Sequence, residues 1–532
     1  MHRNKSVMVH QFSRVPKAQI PRSSFDRSHG HKTTFDAGLL IPVFVDEALP
    51  GDTFKMNMTA FARLATPIFP IMDNMYMDTQ FFSVPIRLLF DNWQKLNGEQ
   101  TNPGDSTDYL TPVLANATFT EGSIFDYMGL PVGIPTSGIS ALPLRAYNLV
   151  YNEWYRDQNL IDSVPRHVGD GPDPVADYEL LRRAKRPDYF TTSLPFPQKG
   201  PGVQIPLGSS APVITGLDHT TGVVTNPMKF MKVDGNGPSN NSFLRVNGTG
   251  QVHNDTTTAV GTLGLGQYPS NLYADLTQAT AATINSLRQA FQVQKIFERD
   301  ARGGTRYIEI IKAHFGVDSP DARLQRPEYL GGGSTPVNIR PIPQTSATGA
   351  YAQSPQGNLS AMGTALASGH GFTASFTEHC IIIGLLSVRA DLTYQQGLNR
   401  MWSRRTRFDF YWPALSHIGE QAVLNKEIFY QGNASDELAF GYQERYAEYR
   451  YKPSLITGAF RSTSATPLDA WHLSQEFSTL PVLDQAFIEE NPPVDRIIAV
   501  DTEPHFLCDM YFKMHCARPM PLYGEPGLID HF

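Results

Sequence analysis

Two groups of residues in this 532-residue chain have types and spacings suited to holding a polyanion. The first is Arg400, Arg404, Arg405 and Arg407, interleaved with Trp402, Phe408, Phe410, Tyr411 and Trp412. Guanidinium groups neutralise phosphates and aromatic faces stack bases, with Trp402 and Tyr411 the stacking candidates. The same run also reads as a strand. Phe408, Phe410 and Trp412 alternate with Arg407, Asp409 and Tyr411, which sets a core face against a polar one. Both readings hold together if the arginines face an enclosed nucleic acid. The second group is the N-terminal arm. Residues 1–34 carry Arg3, Lys5, Arg14, Lys17, Arg22, Arg27 and Lys32 against one acid, Asp26, a local balance of +6. Arg3, Lys5, Arg14, Lys17 and Arg22 are candidates for facing nucleic acid, and Pro16 and Pro21 stiffen the arm. The alternative is an arm that drapes over a neighbouring subunit.

Catalytic chemistry finds little support. There is no Gly-Lys dipeptide, hence no phosphate-binding loop of that type, and no H-E-x-x-H or G-x-S-x-G. Gly261-Thr-Leu-Gly-Leu-Gly266 has the wrong glycine order for a dinucleotide loop and reads as a surface turn. His505 and Cys508, like His515 and Cys516, point to opposite faces of a strand and cannot converge on a metal. The pairs Glu444/Glu448 and Glu489/Glu490 read as solvated surface. No cofactor, no metal and no enzyme activity are expected.

Composition agrees. The chain has 44 Lys+Arg and 51 Asp+Glu, a net charge of −7. Charged residues are 18% and aromatic residues 11%, against roughly 25% charged in an average soluble domain. A polycation and a disordered chain are both excluded. A surface so low in charge is expected to meet other protein. Three cysteines, Cys380, Cys508 and Cys516, argue against a disulfide framework. Cys508 and Cys516 share a strand face roughly 26 Å apart at ~3.3 Å per residue. The N-terminus lacks the apolar stretch of a signal peptide. The longest apolar run, from Cys380 to Leu386, is far short of the ~20 residues of a membrane helix. A soluble protein without membrane insertion, made in a reducing cytoplasm, is expected.

The elements that must position these groups are mainly strands. Phe54, Met56, Met58 and Ala60 alternate with polar residues, and so do Phe506 to Cys516. Further strands fit residues 76–84, 373–388, 407–412 and 438–451. Leu144, Tyr147, Tyr151 and Trp154 line one helical face, with Pro143 in the first turn. Asp173 and Pro174 predict the start of a helix carrying Tyr178, Leu181 and Ala184. Asp275 caps a third helix carrying Ile284, Leu287 and Phe291, and a shorter one ends at Gly316. Residues 198–275 read as a β-rich excursion, and 331–371 as Gly/Ser/Thr-rich connection. The organisation expected is therefore an arm (1–34), core strands (35–90 and 372–532), a helical and loop insertion (91–197), a surface insertion (198–275), then helices and a connecting loop (276–371). Distant antiparallel strands around insertions point to a mainly β fold of sandwich or jelly-roll type. Such a fold also admits a carbohydrate-binding or carbohydrate-active β-sandwich protein, though no carboxylate pair suits it.

Several segments are recognisable. Ser13-Arg-Val-Pro16 through Ile20-Pro-Arg-Ser-Ser-Phe25, Phe82-Ser-Val-Pro-Ile-Arg-Leu-Leu-Phe90 with Trp93, and Arg145-Ala-Tyr-Asn-Leu-Val-Tyr-Asn-Glu-Trp-Tyr-Arg-Asp157 resemble the major capsid protein of microviruses. Likeness is greatest to the gokushovirus branch of single-stranded DNA phages. It continues in Arg182-Arg-Ala-Lys-Arg-Pro-Asp-Tyr-Phe190, residues 284–304 and 307–316, and Arg323-Leu-Gln-Arg-Pro-Glu-Tyr-Leu-Gly331, and is weakest over 198–275. The resemblance implies a single eight-stranded antiparallel jelly roll with large helical and loop insertions. It implies pentamers and a T=1 icosahedral shell around a circular single-stranded DNA genome, with 198–275 as a threefold protrusion and candidate host-receptor contact. Implied partners are an internal scaffolding protein, a DNA pilot protein and a small basic DNA-binding protein. The implied location is the virion, assembled in the host bacterial cytoplasm.

Overall fold

The computed structural model describes residues 21–203, 284–345 and 356–523, together with short strands between 204 and 283. Its central feature is a nine-stranded antiparallel sheet: β1 (Ser23–Asp26), β2 (His29–Phe35), β3 (Ile41–Ala48), β4 (Thr53–Leu64), β5 (Met75–Pro85), β6 (Glu328–Pro343), β7 (Leu359–Ser375), β8 (Cys380–Ala390) and β9 (Phe506–Arg518). The order is β1-β9-β4-β7-β6-β5-β8-β3, with β2 also paired to β9. β1 and β2 follow one another along β9 and act as one interrupted strand. Counted so, eight strands form two halves, β2-β9-β4-β7 and β6-β5-β8-β3, the pairing of a jelly roll.

Sequence pattern explains each half. In β4 and β9 buried and exposed residues alternate without a break, so one face lines the core and the other faces out. β8 is buried at every position, which its unbroken apolar run requires. Ile382 and Leu386 enter the barrel, where they join Phe54, Met58, Phe81 and Phe512. Ile381, Ile383 and Leu385 face the other way, onto Tyr147 of α1 (Leu142–Val150) and Tyr151 just beyond its end. Helix α1 follows the predicted face, with Pro143 in its first turn. It continues as a π-helical turn over Tyr151–Tyr155, which leaves Trp154 half-buried against Pro327.

Five expectations are corrected. Within 331–371, residues 331–343 and 359–371 are not connection but most of β6 and β7, the longest strands of the sheet, and 346–355 lie outside the described residues. β6 turns the corner between the halves, pairing with β5 through Val337 and with β7 from Asn338. Small residues are required there, because a Cβ on Gly332 would sit 2.1 Å from the Thr79 carbonyl oxygen. The predicted helix from Asp173 is only a 3-10 turn, Val175–Asp177. Its supposed cap instead accepts hydrogen bonds from Arg145 and Tyr178. Residues 407–412 form no strand, and the strand expected over 438–451 stops at Glu444. Part of the arm is not an appendage: β1 and β2 belong to the sheet, and the arm's remaining residues, 1–20, lie outside the described ones.

A second compact unit spans Gln198–Arg299. Within it Val213–Thr215 pairs with Leu272–Ala274, and Val252–Asn254, Pro238–Val246, Lys229–Lys232 and Gln267–Pro269 form a second sheet. The helix α2 (Ile284–Gly303) begins in this unit and α3 (Tyr307–Phe315) follows in the first, ending at Gly316 in the left-handed conformation as expected. The proposed cap Asp275 and the Gly261–Gly266 turn lie outside the described residues.

Candidate functional site

The arginine–aromatic run lies in an irregular loop between Thr393–Tyr394 and the strand Glu420–Leu424, broken only by 3-10 turns. Two of its arginines are structural. Arg400 donates to the Ala422 carbonyl (2.7 Å) and to Glu427 (2.9 Å). Arg404 donates to Glu448 (3.1 Å) and lies 4.2 Å from the Tyr449 ring centroid. Both acids are nearly inaccessible, so each pair compensates charge that would otherwise be stranded. Burial pushes the Glu427 carboxyl above its usual range, and Arg400 opposes that shift. Glu427 also accepts from the Tyr189 hydroxyl.

The other two point outward. Arg405 and Arg407 are exposed, and Arg407 stacks 4.5 Å from the Trp412 ring while the indole N–H donates to the Arg407 carbonyl. Asp409 ties the turn by accepting from the backbone N–H groups of Arg405 and Thr406, which holds its carboxyl below the usual range. Trp402 is 71% and Phe408 60% exposed, and Phe410 and Trp412 are exposed as well. The expected core face is therefore overturned: without a strand there is no alternation to bury it. Tyr411 packs edge-on against Tyr446, half of its surface open. The loop presents a contiguous aromatic surface with two outward guanidinium groups.

Of the arm candidates, Arg22 alone is described. Its guanidinium donates to the Gly51 carbonyl (2.7 Å) and to Thr53 Oγ1 (2.9 Å), fixing the root of the arm against β4. Arg3, Lys5, Arg14 and Lys17 lie outside the described residues.

The acids read as solvated surface are partly corrected. Glu448 is engaged as above, and buried Glu490 faces Lys185, whose ammonium burial pushes down to about 8. Glu490 accepts from the Ala390 N–H. Such partners are distant in sequence, 44 residues for Arg404 and Glu448 and 100 for Ala390 and Glu490, and no local spacing signals them. The network of Arg145, Asp173 and Tyr178 was likewise missed, although an arginine on the apolar face of α1 was a signal for it.

His505 accepts from the Ala37 N–H at Nδ1 and donates to Asp495 from Nε2. That is a structural role at the start of β9. Cys380, Cys508 and Cys516 are buried free thiols, and burial pushes the first two up to about 12. Among the described residues no three His, Cys, Asp or Glu side chains group to hold a metal ion, and no helix is long and apolar enough to cross a membrane.

The sequence has counterparts among known proteins. The family model described as capsid protein (F protein) matches residues 13–528. The chain is 49% identical over 531 residues to capsid protein VP1 of Bdellovibrio phage phiMH2K, covering 98% of each chain. It is 46% identical over 590 residues to capsid protein VP1 of Chlamydia phage 1, and 37% identical over 555 residues to that of Spiroplasma virus 4, again with 98% of each chain covered. Matched over nearly its whole length to capsid proteins, the chain belongs to the phage capsid protein family, a family of structural virion components.

Proposed function

We propose that this chain is the major capsid protein of a gokushovirus-like phage, self-assembling through pentamers into a T=1 icosahedral shell around a circular single-stranded DNA genome. The observation that carries the reading is full-length similarity to capsid proteins, coupled to a jelly roll. The aromatic loop over 399–418 supports it, because an exposed patch of this kind marks a surface that another molecule covers. The basic arm faces inward, toward DNA, the internal scaffold or an adjacent subunit. Residues 198–275 form the outward insertion and contact the host receptor. A scaffolding protein, a pilot protein and a small basic DNA-binding protein complete the assembly in the bacterial cytoplasm.

Imaging of purified full-length protein tests this. Closed shells or pentamers are expected; a monodisperse monomer at every salt concentration overturns the reading. Deleting 198–275 should leave shells intact and abolish adsorption, and unchanged infectivity would remove the receptor role.

A further inference from the structure

A bulge in β7 aims one polar ring into the apolar barrel. From Ala361 to Ala367 the odd-numbered residues face inward. Ser368 and Gly369 then share the place opposite Thr59, with Gly369 in the left-handed conformation, and pairing resumes at His370 and Met58. Beyond the bulge the even-numbered His370 and Phe372 face inward instead. His370 is 6% exposed.

The ring reaches the facing half-sheet. Its Nδ1 meets the Thr79 hydroxyl of β5 at 2.6 Å, and its Nε2 meets the Thr335 hydroxyl of β6 at 3.0 Å. Gly333 leaves the room for it, because a Cβ there would lie 2.4 Å from the ring. One imidazole thus ties β7 to β5 and β6, beside the corner where the two halves of the sheet meet.

We propose that His370 is an acid-sensitive latch on the jelly roll: the neutral ring holds the two half-sheets together, and its protonation releases them. Extending the latch from the single chain to the shell rests on the capsid reading above.

Hydrogen bonding and charge both favour the neutral ring. A neutral imidazole accepts at one nitrogen and donates at the other, and two hydroxyls satisfy both at once. An imidazolium donates at both, so the hydroxyl that was donating must turn its hydrogen away. Neither hydroxyl has another partner among the described residues. The added charge is also unanswered inside the barrel. β4 offers Met58, β6 offers Gly333 and Thr335, and β7 offers Ala367 and Phe372, none of them ionisable. Asp78 lies on the opposite face of β5, already held by Arg183 at 2.8 Å and Arg389 at 2.7 Å. Burial holds the imidazole below its usual range, and Asp78 opposes this only in part. On acidification the unfolded chain therefore takes up this proton first, near pH ~6.5. The contribution of the latch is intact above that pH and is lost as the pH falls below it.

The test is denaturant unfolding of purified full-length protein across pH 7.5 to 5. The parent is compared with His370→Gln, which keeps a donor and an acceptor but does not titrate, and with His417→Gln at an exposed histidine. Relative to H370Q, the unfolding constants of the parent and of H417Q should rise by up to about tenfold per pH unit below ~6.5. Coincident pH profiles for the parent and H370Q overturn the latch. If H370Q does not fold, hydrogen exchange at the imidazole C2 position of the parent decides, read by mass spectrometry. His370 should titrate at lower pH in the folded protein than in the same protein unfolded, and equal titration overturns the latch. Shells imaged at both ends of the range should open in acid for the parent and stay closed for H370Q. Shells that open alike overturn the extension to the shell. A parent that never assembles counts against the capsid reading, and the unfolding comparison still decides the latch.

Discussion

Arg27 donates two hydrogen bonds to Asp46, at 2.6 and 3.0 Å, across the side of the barrel where β2 faces β3 without a backbone ladder. The same seam holds His31, whose Nδ1–H donates to the Val43 carbonyl (2.9 Å), and His29, stacked between Phe512 and Phe44. Sheet hydrogen bonds close every other junction of the jelly roll; side chains close this one.

Asp46→Ala should therefore loosen the seam. The pair is bidentate and partly exposed, so a loss of about 1 kcal/mol is expected after allowing for solvent screening. Denaturant unfolding measures it. An unchanged midpoint would mean that the hydrophobic stack alone closes the barrel.

Arg145→Ala should be far more damaging. Arg145 and Asp173 are almost wholly inaccessible, joined at 2.6 and 2.7 Å, with Tyr178 on the same carboxylate. Removing one partner strands the other, at a cost of about 3–5 kcal/mol. Little soluble protein is expected, and R145M/D173L should recover part of the yield. Equal yields from single and double variants would show that the charge is not what matters.

Alkaline stability should report on Lys185. Burial lowers its pKa from 10.5 to about 8, with Glu490 opposing the shift. Between those values the unfolded chain binds more protons than the folded one, so this group makes stability rise with pH. Relative to Lys185→Met, the parent should gain about 1 kcal/mol per pH unit from pH 8 to 10. A pH-independent difference between the two would place the ammonium in solvent.

Thiol chemistry gives a direct check on the core. Cys380 and Cys508 should resist a thiol-specific reagent at pH 8 in the native protein and react on unfolding, since burial keeps them protonated. Fast native labelling would place these strands at the surface.

What the sequence disclosed depended on range. The alternation in β4 and β9 and the unbroken run of β8 are local signals, and the sheet follows them. The glycines of β6 and β7 misled because their reason is three-dimensional: Gly332 and Gly371 are small where backbones cross, at Thr79 and Met56. Asp173 looked like a cap because capping is local, whereas its partner Arg145 is 28 residues away. Alternation over 407–412 was real in sequence but lacked a neighbouring strand to turn it into a core face. The resemblance supplied the family; the division of labour within the loop, with Arg400 and Arg404 anchored and Arg405 and Arg407 free to face out, needed coordinates.

That division makes the last prediction. If the 399–418 loop is a subunit contact, its exposed aromatics carry the association energy, because large rings dominate such interfaces. Trp402→Ser and Phe408→Ser together should leave the denaturation midpoint of the unassembled protein within experimental error, since neither ring is buried in the monomer. Shells should fail to form, or should fall apart at lower denaturant. Arg404→Ala should act the other way round, destabilising the monomer by leaving the nearly inaccessible Glu448 with only Gln421 and the more distant Arg400 as partners. Normal shells from W402S/F408S would leave the aromatic surface open in the virion and return it to the nucleic-acid reading, where Arg405 and Arg407 become the residues to change.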